Sequence, residues 1–188
     1  MSVSSPGLLN HLQLPARSRI SRTLLTVPSI ARLSQEVAMQ LNSTHLGVLE
    51  IAQDRIIEFP NGIPGFSEMR TVAVIPAVET EQFSNTDDAS GLFFVQSTTN
   101  PDLVFLCIDP FLVFPEYEVD FDETALAISS ASEVLVLAIL SVSDGPEPFA
   151  NRATANLRAP LVINAKARSG CQVVLADAHW AVKHPLAS

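Results

Sequence analysis

From His45 onward, short apolar runs alternate with clusters of turn residues, a rhythm that predicts an antiparallel all-β domain. The runs predict strands near 46–52, 55–59, 71–76, 92–98, 103–108, 116–121, 133–142, 152–157, 160–165 and 171–176. Pro60-Asn61-Gly62 and Pro64-Gly65 combine the fixed φ of proline with residues that accept positive φ, as tight turns require. The segment Lys166 to Gly170 reads as the basic tip of a hairpin, with Gly170 in a left-handed conformation. Helix has little room: Asp122 to Ile128, acids first and apolar residues after, predicts a turn or two.

So many short strands must hide their edges, and closure into a barrel does so most simply. The expected fold class is therefore mainly β, a small antiparallel β-barrel-like domain with one or two short helices. Runs such as Leu103 to Ile108 lack alternation, so both of their faces should be covered.

Residues 1–45 read differently, Ser-rich and interrupted by Pro6, Pro15 and Pro28. Pro28-Ser29 could cap a helix carrying Ile30, Leu33, Val37 and Leu41 on one stripe. The segment has the composition of an organellar transit peptide or of a dispensable extension, with Met39 a natural internal start. The expected division is an N-terminal extension over 1–45, flexible or partly helical and adding nothing to the fold, and a barrel domain over 46–188.

Composition narrows the function. Of 188 residues, 47% are hydrophobic and 16% charged, as in a globular domain. The longest purely apolar run, Val134 to Leu140, is far short of the roughly 20 residues a bilayer needs. Cys107 and Cys171 lie in apolar runs without a CxxC pair, which predicts reduced core thiols rather than zinc ligands. A net charge of −9 excludes a direct, sequence-independent grip on nucleic acid. The charge is also segregated: residues 1–45 carry four arginines (Arg17, Arg19, Arg22, Arg32) against Glu36, whereas Thr71 to Asn151 holds fourteen acids and no Lys or Arg. Such a span needs a cationic counterpart in the folded chain or on a partner.

The sharpest feature is Glu116-Tyr-Glu-Val-Asp-Phe-Asp122. A period of two sends Tyr117, Val119 and Phe121 one way and Glu116, Glu118, Asp120 and Asp122 the other. Four carboxylates on one face are either a solvated, edge-protecting surface or a docking stripe for a basic protein. Catalysis is poorly served, because an acid pair needs one desolvated carboxyl and nothing here marks burial. Asp87-Asp88 lacks the periodicity of a calcium loop, and His11, His45, His179 and His184 form no metal-binding pair. No nucleophile elbow, P-loop or GxGxxG is present. His184 is expected to close a C-terminal strand.

Four motifs then fall into register: Ile57-Glu-Phe-Pro-Asn-Gly-Ile-Pro-Gly-Phe66, Asp109-Pro-Phe-Leu-Val-Phe-Pro-Glu-Tyr-Glu118, Ala155-Asn-Leu-Arg-Ala-Pro-Leu-Val-Ile-Asn164 and Lys183-His-Pro-Leu186. Together they resemble the FliW family of bacterial flagellar assembly factors over residues 46–186, with a longer, more polar loop from Glu79 to Gly91. The resemblance implies a small, cytoplasmic β-barrel-like protein without enzymatic activity; apart from the resemblance, a monomer without a cofactor is expected. The resemblance also implies two protein partners, flagellin and the translational repressor CsrA, with CsrA released to repress the flagellin message when flagellin captures the factor. In that setting the Glu116, Glu118, Asp120 and Asp122 face would steer basic CsrA. Phe111, Phe114, Tyr117 and Phe121 would offer an apolar groove to flagellin's terminal helices, unless they face the core. Two other classes stay open: a barrel holding an apolar ligand between Phe93, Phe94, Phe105 and Phe111, and an enzyme of unfamiliar type.

Overall fold

The structure, a computed structural model, describes residues 17–21, 37–81, 83, 91–122, 126–176 and 179–187. Strands β1 (Arg17–Ser21), β2 (Val37–Ser43) and β3 (Gly47–Ala52) precede β4 (Ile56–Glu58), β5 (Thr71–Pro76), β6 (Leu92–Ser97) and β7 (Val104–Ile108). After helix α1 (Pro110–Val113) come β8 (Glu118–Asp122) and the long β9 (Val134–Val142). Helix α2 (Phe149–Arg152) leads into β10 (Ala153–Ala155), β11 (Leu161–Asn164), β12 (Ser169–Gln172) and β13 (His184–Pro185).

The expected closure is present. Strands β4, β5, β6, β7, β9, β11 and β12 form a ring, each bonded to the next, with β9 pairing both β7 and β11. Every step is antiparallel except the contact that joins β12 to β4, which is parallel through Ser169 and Glu58. Strand β9 spans this wall by changing neighbours along its length: β11 over Val134 to Leu137, β7 over Ala138 and Ile139, β10 over Leu140 to Val142.

The wall is apolar on both faces, which is why its strands lack alternation. One face contributes Val72, Val74, Phe93, Val95, Cys107, Leu137 and Ile163 to one cluster. The other contributes Ala73, Ile75, Phe94, Ile108, Val136 and Val162 to a second cluster, completed by residues of β1, β2, β3, α1 and β8. Phe93 thus belongs to one core and Phe94 and Phe111 to the other, so they do not converge on a shared ligand chamber. Burial pushes the Cys107 thiol well above its ordinary range and raises that of Cys171.

Polar groups fix the turns. Asp109 accepts a hydrogen bond from the Phe111 amide and Pro110 opens α1, a standard helix start. Asn164, fully buried, donates to the carbonyls of Leu126 and Ala127 and accepts from the amides of Lys166 and Ala167. Gln96, also buried, has its Nε2 amide within hydrogen-bond distance of the carbonyls of Ser97, Asn100 and Leu103, which share its two N–H donors, and accepts from Ser43 at 2.6 Å, tying β2 to β6. Gly62 and Gly65 have the expected positive φ, and a side chain at Gly62 would lie 2.6 Å from the Ser67 carbonyl.

Several expectations are corrected. Residues 37–43 form a strand hydrogen-bonded to β3, not part of a helix, because Met39, Leu41 and Ser43 alternate inward while Gln40 and Asn42 are exposed. Ile30 and Leu33 lie outside the described residues. The β2–β3 hairpin crosses the boundary drawn at residue 45, and Leu41 and Ile20 are each only 3% exposed, so the described parts of 1–45 pack on the barrel. At the 166–170 hairpin the left-handed residue is Arg168, with φ 54°, and Gly170 sits within β12 opposite Ile163. Glycine is needed there for space, since a Cβ would meet the Phe59 ring at 2.7 Å. The helix expected over 122–128 falls partly outside the described residues, and Asp122 ends a strand. Among the described residues the two short α-helices lie elsewhere, at α1 and α2.

Candidate functional site

Strand β8 leaves α1 through a turn in which the Tyr117 amide donates to the Phe114 carbonyl. Its period of two does what the pattern required: Tyr117, Val119 and Phe121 are buried, and Glu116, Glu118 and Asp120 are exposed. Tyr117 anchors the strand. Its hydroxyl donates to the Leu157 carbonyl at 2.7 Å, and its ring meets Trp180 edge-on at 5.0 Å. Desolvation raises its phenol well above the ordinary value.

The aromatic half of the expected docking surface is therefore core. Phe111 is 3% exposed and Tyr117 0%, while Phe114 packs against Trp180 and His184. A barrel this small cannot spare those rings: they fill the space between β8 and the C-terminal segment, where His184 in β13 pairs with Ala155. They offer no open groove to a helix.

The acidic half is an open groove of about 530 Å³. Glu116, Glu118, Asp120 and Asp122 of the acidic strand line it together with Val173, Val174, Leu175 and Ala176, His179 and Trp180. Val174 is 72% exposed, so the groove also presents an accessible apolar side chain. One described cation enters, Arg19 of β1, whose guanidinium lies 3.1 Å from Glu118 with both side chains largely in solvent. Among the described residues Glu116 and Asp120 have no ion-pair partner. The groove can thus receive a segment that carries both cations and apolar groups.

Sequence reasoning missed Arg19, Val174 and Trp180 as parts of this surface. The charge segregation did signal Arg19, since a span of acids without Lys or Arg calls for a counterpart elsewhere in the chain. Nothing local marks Val174. Among the described residues no group of three or more His, Cys, Asp or Glu side chains is placed to hold a metal ion, and no helix is long and apolar enough to cross a membrane.

Comparison with known proteins places the chain as a whole. The family described as FliW protein matches residues 40–186. The flagellar assembly factor FliW of Bacillus subtilis (strain 168) is 35% identical over 151 residues, covering 79% of this chain and 96% of that protein. Its counterpart in Geobacillus kaustophilus is 36% identical over the same length, covering 95% of its chain, and that of Moorella thermoacetica is 34% identical, covering 88%. A crystal structure of the flagellar assembly factor FliW superposes with a TM-score of 0.65 at 33% identity, covering 80% of this chain and 98% of the other.

Proposed function

Because the chain belongs to the FliW family of flagellar assembly factors, we propose that it binds flagellin and CsrA in turn and thereby relieves CsrA repression of flagellin translation. The observation that carries this reading is the acid-lined groove beside β8, in which, among the described residues, Glu116 and Asp120 have no ion-pair partner. An RNA-binding repressor is basic, and an acidic, shape-defined surface meets such a protein without itself touching RNA. Exposed carboxylates contribute mainly to steering and selectivity, while Val174 supplies exposed apolar area to a docked segment. In this reading the protein acts as a monomer in the cytoplasm, as a holding factor for unassembled flagellin rather than as an enzyme.

The flagellin half draws on the resemblance, since the buried aromatics remove the surface first assigned to it. The test is a titration of flagellin into a preformed complex with CsrA, following CsrA release by a label on CsrA. Release in step with flagellin capture is expected. A stable ternary complex at saturating flagellin overturns the exclusive switch.

A further inference from the structure

Strand β8 takes its ladder not from the barrel but from β1, in a separate two-stranded sheet. The pairing is antiparallel, with Arg17 opposite Asp122, Arg19 opposite Asp120, Ile20 opposite Val119 and Ser21 opposite Glu118. The register matches the two strands face for face. Ile20 is buried on the side of Val119 and Phe121, and Arg19 lies on the carboxylate side with its guanidinium on Glu118. Strand β1 therefore carries what a segment adding to this edge requires: main-chain hydrogen bonds, one inward apolar anchor and an outward cation. It also lies outside the part of the chain shared with the family, which begins at residue 40. The Bacillus subtilis and Geobacillus kaustophilus relatives have only 4% and 5% of their length outside the match, too little for both a five-residue strand and a connection as long as the one that follows β1 here.

We propose that Arg17–Ser21 is a tethered occupant of a strand-addition site on β8, and that the ligand it holds off is an extended basic segment of a partner protein. The recognition pattern is that of the occupant itself, a basic residue facing the acids and an apolar residue one position along entering beside Val119. Tethering sets the terms of competition. A segment covalently joined to its own site binds it intramolecularly, an advantage that an untethered segment must overcome. The apparent affinity for a partner is then reduced by the fraction of molecules in which the edge is open. Only a partner with further contacts, at Val174 for example, displaces β1. This inference rests on the reading of the groove as a docking site, but not on the identity of what docks.

The test uses the full chain and a fluorescent synthetic peptide of residues 15–23. Wild type should bind the peptide weakly, because the site is filled in cis. The variant Ile20→Asp loses the inward anchor and should bind it at least tenfold more tightly, with faster hydrogen exchange at Glu118 to Asp122 that added peptide slows again. Adding Asp120→Lys should abolish the gain. Arg19→Glu alters only exposed atoms and should give the same direction of change, so a fold lost in Ile20→Asp leaves the question decided. Unchanged affinity in a folded variant, or equal binding of a scrambled peptide of the same composition, overturns the proposal. CsrA binding without a gain in peptide affinity would leave the partner reading standing and this one refuted; a gain without CsrA binding would do the reverse.

Discussion

The Tyr117 hydroxyl donates to the Leu157 carbonyl at 2.7 Å, joining the acidic strand to the segment that enters β11. Two of the family-like motifs meet in that bond, Asp109 to Glu118 and Ala155 to Asn164. The acids beside Tyr117 face the groove because this ring and its hydroxyl hold the strand's other face against Trp180.

Removing the hydroxyl tests that linkage. Tyr117→Phe leaves a buried carbonyl without its donor and should cost about 1–3 kcal/mol in urea unfolding. In the wild type, absorbance titration should show no phenolate formation near the ordinary tyrosine value while the fold persists, since Tyr117 is the sole tyrosine and its ionisation is displaced upward by burial.

Gly170→Ala places a methyl 2.7 Å from the Phe59 ring, which is wholly buried and cannot swing aside. Overpacking of this kind costs typically about 1–3 kcal/mol. Combining it with Phe59→Leu should recover part of that loss relative to the sum of the two single variants. Simple additivity in thermal unfolding would show that the two sites do not collide.

Residues 1–44 should matter to stability. Ile20 and Leu41 are each buried to a degree that contributes about 1.5–3 kcal/mol per side chain. At about 2–4 °C per kcal/mol for a chain of this size, deleting 1–44 should lower the midpoint by roughly 6–24 °C. An unchanged midpoint would return the segment to the status of a dispensable extension.

The Lys166–Glu133 pair, 2.8 Å apart, joins the β11–β12 turn to the start of β9. Hydrogen bonds from Lys166 and Ser129 hold the Glu133 carboxyl below its ordinary value, and Glu133 raises Lys166. The carboxylate's contribution is present above its unfolded value and is lost as pH falls through the depressed folded one. That of the lysine is full below its unfolded value and is lost as pH rises through the raised folded one. Glu133→Gln should therefore weaken the protein at pH 7 and converge with wild type in acid. An equal deficit at both pH values would assign the effect to packing.

Under the proposed function, reversing Glu118 and Asp120 to Lys should slow association with CsrA at low salt and flatten its salt dependence, with the thermal midpoint little changed. Exposed ion pairs contribute only about 0–1 kcal/mol each, so rate rather than stability is the sensitive readout. Stopped-flow mixing across an ionic-strength series measures it.

What the sequence determined by itself is local. The strands at 56–58, 71–76, 92–97 and 134–142, the positive φ of Gly62 and Gly65, and the outward acids of β8 all follow from short-range sterics and a period of two. Four motifs in register sufficed to place the family. Tertiary structure decided where distant segments meet. Val37 and Leu41 are compatible with both a helical stripe and an alternating strand, and pairing with β3 selected the strand. Phe111 and Tyr117 are equally candidates for a docking surface and for the core in the sequence; the arrival of Leu157 and Trp180 made Tyr117 core, and Phe111 packs against the Tyr117 ring. Gly170 looks like a turn residue until Phe59, more than a hundred positions earlier, occupies the space its side chain would need. Arg19 reaches Glu118 across about a hundred residues, a contact written in the charge segregation but located only by the β1–β8 register. Backbone and turn preferences act over a few residues, whereas core packing and charge pairing are satisfied by whichever chain segments the closed barrel brings side by side.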